Sequence, residues 1–277
     1  MQQLIDSHCH WDHPRLQNLQ PHLWQSCLDQ GVGQLVVPGT QKAFFARQIT
    51  LCDQHPCWHL AFGLHPYFND KHTRQHLIDL ADAIGHYKPV AVGEIGLDFA
   101  LDTALEGFSI AQQEYWFVAQ VKLAQQEKLP IIVHSRKAND RIGQLLRQLK
   151  FDQGGIVHGF SGSVQQAEKF TQLGFKIGLG GNLTYERAQA LRRLAQALPL
   201  TDIVLETDAP DMPMAKQDGA RQDGARLDRA EKDEPNRPDN LPRVLAVLAQ
   251  LRPESLAEIA MQTVNNTIDV LRLKSLL

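Results

Sequence analysis

Eight short apolar runs constrain this chain more than any other feature: "LIDSHC", "QLVVPG", "WHLAFGLH", "VAVGEIG", "IIVH", "GIVHGF", "FKIGLG" and "DIVLETD", separated by longer amphipathic stretches. Several are nearly continuous in apolar residues, the pattern of parallel strands buried on both faces. Between them, Ile110 to Glu127 predicts a helix, with Tyr115, Val118 and Leu123 at helical spacing and Leu129-Pro130 ending it. Further helices are expected near Thr73 to His86, Lys137 to Lys150, Ser163 to Leu173 and Thr184 to Leu198, and from Leu241 onward. Eight strands alternating with helices predict an α/β fold, a TIM (β/α)8 barrel, with a doubly wound open sheet as the alternative.

Barrels commonly reach this size as one domain, so the 277 residues are expected to form a single domain over 1–277. One stretch, Ala215 to Glu234, is charged throughout with a single large apolar residue, Leu227, and reads as a flexible solvated loop. Inside it "QDGAR" occurs twice in succession, Gln217 to Arg221 and Gln222 to Arg226, a short duplication rather than a structural repeat. A balance of 43 % hydrophobic and 21 % charged residues suits a globular enzyme. The net charge of -3 gives no global pull toward nucleic acid, so phosphate binding would have to come from local groups or bound cations. Cys9, Cys27, Cys52 and Cys57 form no CxxC pair, which fits a reducing compartment. With no basic leader before an apolar stretch and no 18-residue apolar run, the expectation is a cytoplasmic protein that engages no membrane. No obligate protein partner is evident, and a monomer is the default.

The chemistry gathers at the ends of the apolar runs. In a strand, residues at i, i+2 and i+4 share a face, so Asp6, His8 and His10 point one way and Cys9 the other. A lone His-x-His is weak evidence among 12 histidines. However, other runs also end in metal-capable residues: Gly93-Glu94, Val133-His134, Val157-His158 and Glu206-Thr207-Asp208. Barrel enzymes collect functional groups at the C-terminal ends of strands. Four imidazoles with two or three carboxylates exceed what one tetrahedral ion needs and suit two ions sharing a bridge, for which Glu94 is the natural candidate. His65, in "FGLHP", is a candidate substrate contact or the start of a structural turn. Lys42, Arg136 and Lys137 are candidate phosphate contacts, with Arg136, two residues after His134, the best placed. Mixed imidazole and carboxylate ligands accommodate zinc, manganese, magnesium or nickel.

Taken together, "DSHCH", "GLHP", "GEIGLDF", "PIIVHSRKA", "VHGFSGS", "GLGGNLT", "LETDAPDMP" and "NRPDNLPRVL" make the chain resemble the TatD family of metal-dependent hydrolases, and within it the YjjV-type subgroup. The likeness runs through nearly the whole chain in family order. It implies an amidohydrolase-like barrel with two divalent metal ions: His8, His10 and Asp208 on one, His134 and His158 on the other, and Glu94 between them. It also implies a deoxyribonuclease-like activity. Two departures stand out. Phe99 follows "GLD" where the family often has Tyr, and the charged loop looks longer than usual for the subgroup.

The expected reaction is phosphodiester hydrolysis, exonuclease-like on DNA or on a small phosphodiester, by a dinuclear metal-activated water. Asp208 would ligate and help deprotonate that water, with Glu94 as the other catalytic carboxylate. Asp6 and Glu206 would support the ligands from behind. Hydrolysis of a carboxyl ester, lactone or amide is the alternative. Related barrels often place a modified lysine at the bridge, whereas here the fourth run offers Glu94 and Lys88 precedes it. A non-catalytic metal-binding protein is the remaining alternative.

Overall fold

The computed structural model describes residues 3–215 and 235–274, so the doubled QDGAR and nearly all of the predicted charged loop lie outside the described residues. Eight strands form one sheet in sequential order: β1 (Leu4–Asp6), β2 (Val32–Pro38), β3 (Trp58–Phe62), β4 (Ala91–Asp98), β5 (Ile131–Arg136), β6 (Gly155–Val157), β7 (Phe175–Leu179) and β8 (Ile203–Leu205). Each pairs in parallel with the next. The ring is closed beyond β8 and β1: Ser7 N–H donates to the Leu205 carbonyl, Asp208 N–H to that of His8, and Cys9 bridges Ala209 in parallel. An open doubly wound sheet has no such closure, and the barrel expected from the alternating runs is the fold.

Burial explains why the runs read as continuously apolar. All eight residues of β4 and all three of β8 are buried, because one face looks into the barrel and the other is covered by helices. Close strand approach needs glycine at one point near the site: a Cβ at Gly63 would lie 2.6 Å from the Glu94 carbonyl oxygen.

The covering helices are α1 (Pro14–Gln17), α2 (Gln20–Asp29), α3 (Phe45–Gln54), α4 (Arg74–Tyr87), α5 (Ile110–Glu127), α6 (Asn139–Gln148), α7 (Val164–Thr171), α8 (Gln189–Ala197), α9 (Leu241–Leu251) and α10 (Leu256–Leu271). The α5 limits are those expected. Ser109 caps the start by accepting the Gln112 N–H, and Lys128 ends the helix in the left-handed region at φ 56°.

Its buried face differs from the expected one. Tyr115 is 46 % exposed, and the stripe turned inward is Gln113, Trp116, Phe117, Gln120, Val121 and Ala124. The reason is that both glutamines bind backbone. Gln113 accepts the Asp98 N–H and donates to its carbonyl, while Gln120 does the same to Leu64. α2 and α3 were not read from the sequence, since polar residues interrupt their periodicity. The stretch expected to be helical from Thr184 begins as a helix only at Gln189, after a 3-10 turn over Gly181–Thr184. No helix among the described residues is long and apolar enough to cross a membrane.

Candidate metal centre

Glu94 sits on β4 with its carboxylate 2 % exposed, and imidazoles face it from both sides. On one side His8 Nε2 lies 3.1 Å and His10 Nε2 3.3 Å from Oε2. On the other, Oε1 has His158 Nε2 at 2.7 Å, His65 Nε2 at 3.0 Å and His134 Nδ1 at 3.0 Å. Asp208 completes the first side, its Oδ1 at 3.6 Å from both His8 and His10. The imidazoles that the sequence singled out as metal ligands therefore meet at the Glu94 carboxylate, and Asp208 stands beside two of them.

The regular ladder stops before the ligands do. β1 ends at Asp6 because the buried Asp6 carboxylate takes the N–H groups that a ladder would use. Its Oδ1 accepts from His8 N–H at 3.2 Å and Thr207 N–H at 2.9 Å, and its Oδ2 from the Thr207 hydroxyl. Alternation nonetheless survives through residue 10, so the two rings converge, with Nε2 atoms 3.2 Å apart, and Cys9 is buried away from them. Asp208 breaks the alternation of its own strand. It lies past β8 with φ 57°, in the left-handed region that Asp tolerates better than most residues. Glu206 therefore does not share its face in the simple way that a strand extended through 208 implies. Instead it is fully buried behind His158, Oε1 at 3.8 Å from His158 Nδ1 and accepting the Gly159 N–H.

So many titratable groups in one buried space cannot all be charged. Burial first, then the neighbouring His158, holds His8 well below the usual histidine range, and burial lowers His65 to about 4. Burial opposes charge on His10 and His158 too, but contact with Glu94 outweighs it and carries them to about 9 and about 10. Burial would raise Glu94, yet the surrounding imidazoles, His158 foremost, hold it well below the usual carboxylate range. Burial pushes Asp208 up to about 6 against the pull of His158 and His10, Glu206 to about 8, and Asp6 to about 7 despite the Thr207 hydrogen bonds.

The donor chemistry fits divalent cations. Imidazole nitrogens and carboxylate oxygens form three overlapping groups among the described residues: His8 with His158 and Asp208, His8 with His10 and Glu94, and His65 with Glu94 and His134. The donor atoms within each lie within 4.8 Å of one another. His65, expected as a candidate substrate contact, thus stands inside the cluster. It also starts a turn as the sequence allowed, its Nδ1 accepting the Tyr67 N–H at 3.1 Å. Arg136 stands at the rim with its side chain 65 % exposed, NH1 3.9 Å from Asp98 Oδ2. Lys137 is exposed beside it.

Sequence reasoning missed Asp98 and Thr207. Asp98 Oδ2 lies 3.2 Å from His134 Nε2. The available signal was its position, the same strand face as Glu94 four residues on. Thr207 was hidden because its partner, Asp6, is 201 residues away.

The model of the TatD related DNase family matches residues 5–272. The chain is 42 % identical to the metal-dependent hydrolase YjjV of Escherichia coli, over 95 % of each chain. It also matches the crystal structure of YjjV with a TM-score of 0.87, 40 % identity and 98 % of both chains covered. It is 32 % identical to the 3'-5' ssDNA/RNA exonuclease TatD of a Rahnella strain, covering 83 % of this chain and 84 % of the relative. Family match, fold and ligand-rich strand ends agree: the chain belongs to the TatD family of metal-dependent hydrolases.

Proposed function

We propose that the protein is a phosphodiesterase that degrades single-stranded nucleic acid from an end, using two divalent ions that His8, His10, Glu94, His134, His158 and Asp208 would hold. The observation that carries this reading is the two-sided carboxylate: His8 and His10 gather at Oε2 with Asp208 Oδ1 3.6 Å from both rings, and His134, His158 and His65 gather at Oε1. A buried carboxylate with imidazoles on both flanks offers enough donors for two divalent cations. When bound, such ions would acidify a water and neutralise charge developing on the phosphoryl oxygens.

The chain's own groups supply the rest. Asp208, at the mouth of the first side, would ligate an ion and help orient or deprotonate the attacking water. Arg136, exposed at the rim, is available to a flanking phosphate. Asp6 and Glu206 hold the His8 backbone and the His158 turn from behind. Tyr67, 57 % exposed and two residues past His65, offers a ring face to an unstacked base. Relatives named as 3'-5' ssDNA/RNA exonucleases, 30–32 % identical over most of the chain, support nucleic acid as the substrate class. Four free thiols are consistent with action in the reducing cytoplasm.

The test is hydrolysis of end-labelled single-stranded oligonucleotides, a chromogenic phosphodiester and a panel of lactones by metal-reconstituted protein. Stepwise shortening of the oligonucleotide, abolished by a chelator and by Asp208→Asn in the folded protein, is the expected outcome. Lactone hydrolysis with intact oligonucleotide would replace this reading with carboxyl-ester chemistry. Full activity of Asp208→Asn removes the role given to that residue.

A further inference from the structure

We propose that Asp98 is a positioning residue that sets which nitrogen of His134 faces the metal centre, and that Gln113 holds Asp98 in place for this. The inference rests on the reading of the Glu94 cluster as a metal centre. His134 is pinned at both ring nitrogens: Nδ1 lies 3.0 Å from Glu94 Oε1, and Nε2 lies 3.2 Å from Asp98 Oδ2. The other four imidazoles at the centre all point Nε2 inward. His134 alone among them is turned round, and it alone has a carboxylate behind it within hydrogen-bonding distance.

The chemistry follows from the acceptor. A carboxylate accepts and cannot donate, so Asp98 holds a proton on His134 Nε2; the proton that Glu94 accepts from Nδ1 is then the one a cation would displace, leaving Nδ1 as the ligating nitrogen. Asp98 is itself fixed on every side. Its Oδ1 accepts the Ala100 N–H at 2.9 Å, its backbone N–H donates to Gln113 Oε1 at 2.8 Å, and its carbonyl accepts from Gln113 Nε2 at 3.1 Å. With its side chain 3 % exposed, Asp98 meets little competition from water for that contact. Contrast His158, whose rear nitrogen, Nδ1, has no hydrogen-bond partner among the described residues and faces Glu206 at 3.8 Å. Two histidines on neighbouring strands therefore differ in how firmly the proton is placed, and Asp98 makes the difference.

Asp98→Asn tests this with little change of shape. The amide oxygen can still accept from Ala100, while the NH2 replacing Oδ2 is a donor. His134 Nε2 must then accept, which moves the proton to Nδ1 and blocks the nitrogen facing Glu94. The readouts are zinc affinity by competition with a chelating dye, and long-range 1H–15N NMR of 15N-histidine protein loaded with zinc.

In the wild type, His134 is expected to carry its proton on Nε2 and to bind zinc through Nδ1. In Asp98→Asn, zinc affinity is expected to fall about 10- to 100-fold, with the His134 signals moved and those of His10 unmoved. Coordination through Nε2 in the wild type overturns the proposal, as do unchanged affinity and unchanged His134 signals in the variant. Failure of the wild type to bind zinc would remove the metal-centre reading and this inference with it, whereas Nε2 coordination removes the inference alone. The wild-type spectrum decides the matter even if the variant does not fold.

Discussion

At the scale of single residues, the protons on His10 and His158 compete with any cation. Their pKa values, about 9 and about 10, lie above the ordinary 6.5, so both rings are charged at neutral pH, and each must lose its proton before a nitrogen can ligate. Metal affinity is therefore expected to rise with pH through this range. Binding at pH 7.5 should release roughly two protons per chain from these rings. Calorimetric titrations in buffers of different ionisation enthalpy measure this directly, and a heat independent of buffer contradicts it. Backbone conformation separates a second pair of variants. At φ 57°, Asp208→Ala places a Cβ without a local hydrogen-bonding group in the left-handed region, so it should lose about 1 kcal/mol more stability than Asp208→Asn in denaturant melts. The same contrast explains what could be read from the chain. His8, His10, Glu94, His134, His158 and Asp208 were legible because each ends an apolar run, where a polar group has no structural reason to stand. Thr207 was not, since a hydroxyl next to a conspicuous aspartate gives no sign of a partner at the other end of the sequence.

Among the elements, α5 joins the fold to the site through amides rather than through apolar packing alone. Gln113 and Gln120 stand seven residues apart on the buried face, and each satisfies both backbone groups of one residue, Asp98 or Leu64, that adjoins the centre. Replacing Gln120 by Leu leaves the Leu64 N–H and carbonyl buried without partners. The expected cost is about 1–3 kcal/mol for each group, read as a lower denaturant midpoint. Loss of zinc affinity should accompany it, because His65 follows Leu64. Gly178→Ala acts from β7: its Cβ would stand 2.2 Å from Glu206 Oε2, so the carboxylate behind His158 must move. About 1–3 kcal/mol of destabilisation is expected from that overpacking. The limits of α5 were readable from Leu129-Pro130 and the apolar spacing, but its inward face was not. Glutamine reads as solvent-facing, and only the tertiary structure reveals two carbonyls waiting for it.

For the molecule as a whole, acid is the expected weakness outside the centre. His59, against Gln34 Oε1 at 2.7 Å, and His72, against the His65 carbonyl at 3.0 Å, are both lowered by burial to about 4. Between that value and the ordinary 6.5 the unfolded chain binds more protons than the folded one. Stability is thus full above 6.5 and declines as pH falls toward 4. A displacement of this size corresponds to at most about 3 kcal/mol for each histidine. The urea midpoint should fall between pH 7 and pH 5, and fall less in His59→Gln; an equal fall in both assigns the loss elsewhere. We further propose that the barrel is one domain, which a single coincident transition by fluorescence and circular dichroism would support and two separated transitions would refute. The closure of the barrel also fixes an order of events during synthesis. His8 and His10 leave the ribosome some two hundred residues before Thr207 and Asp208. The full ligand set cannot assemble before the last strand of the ring has been made, so cation loading has to wait until then.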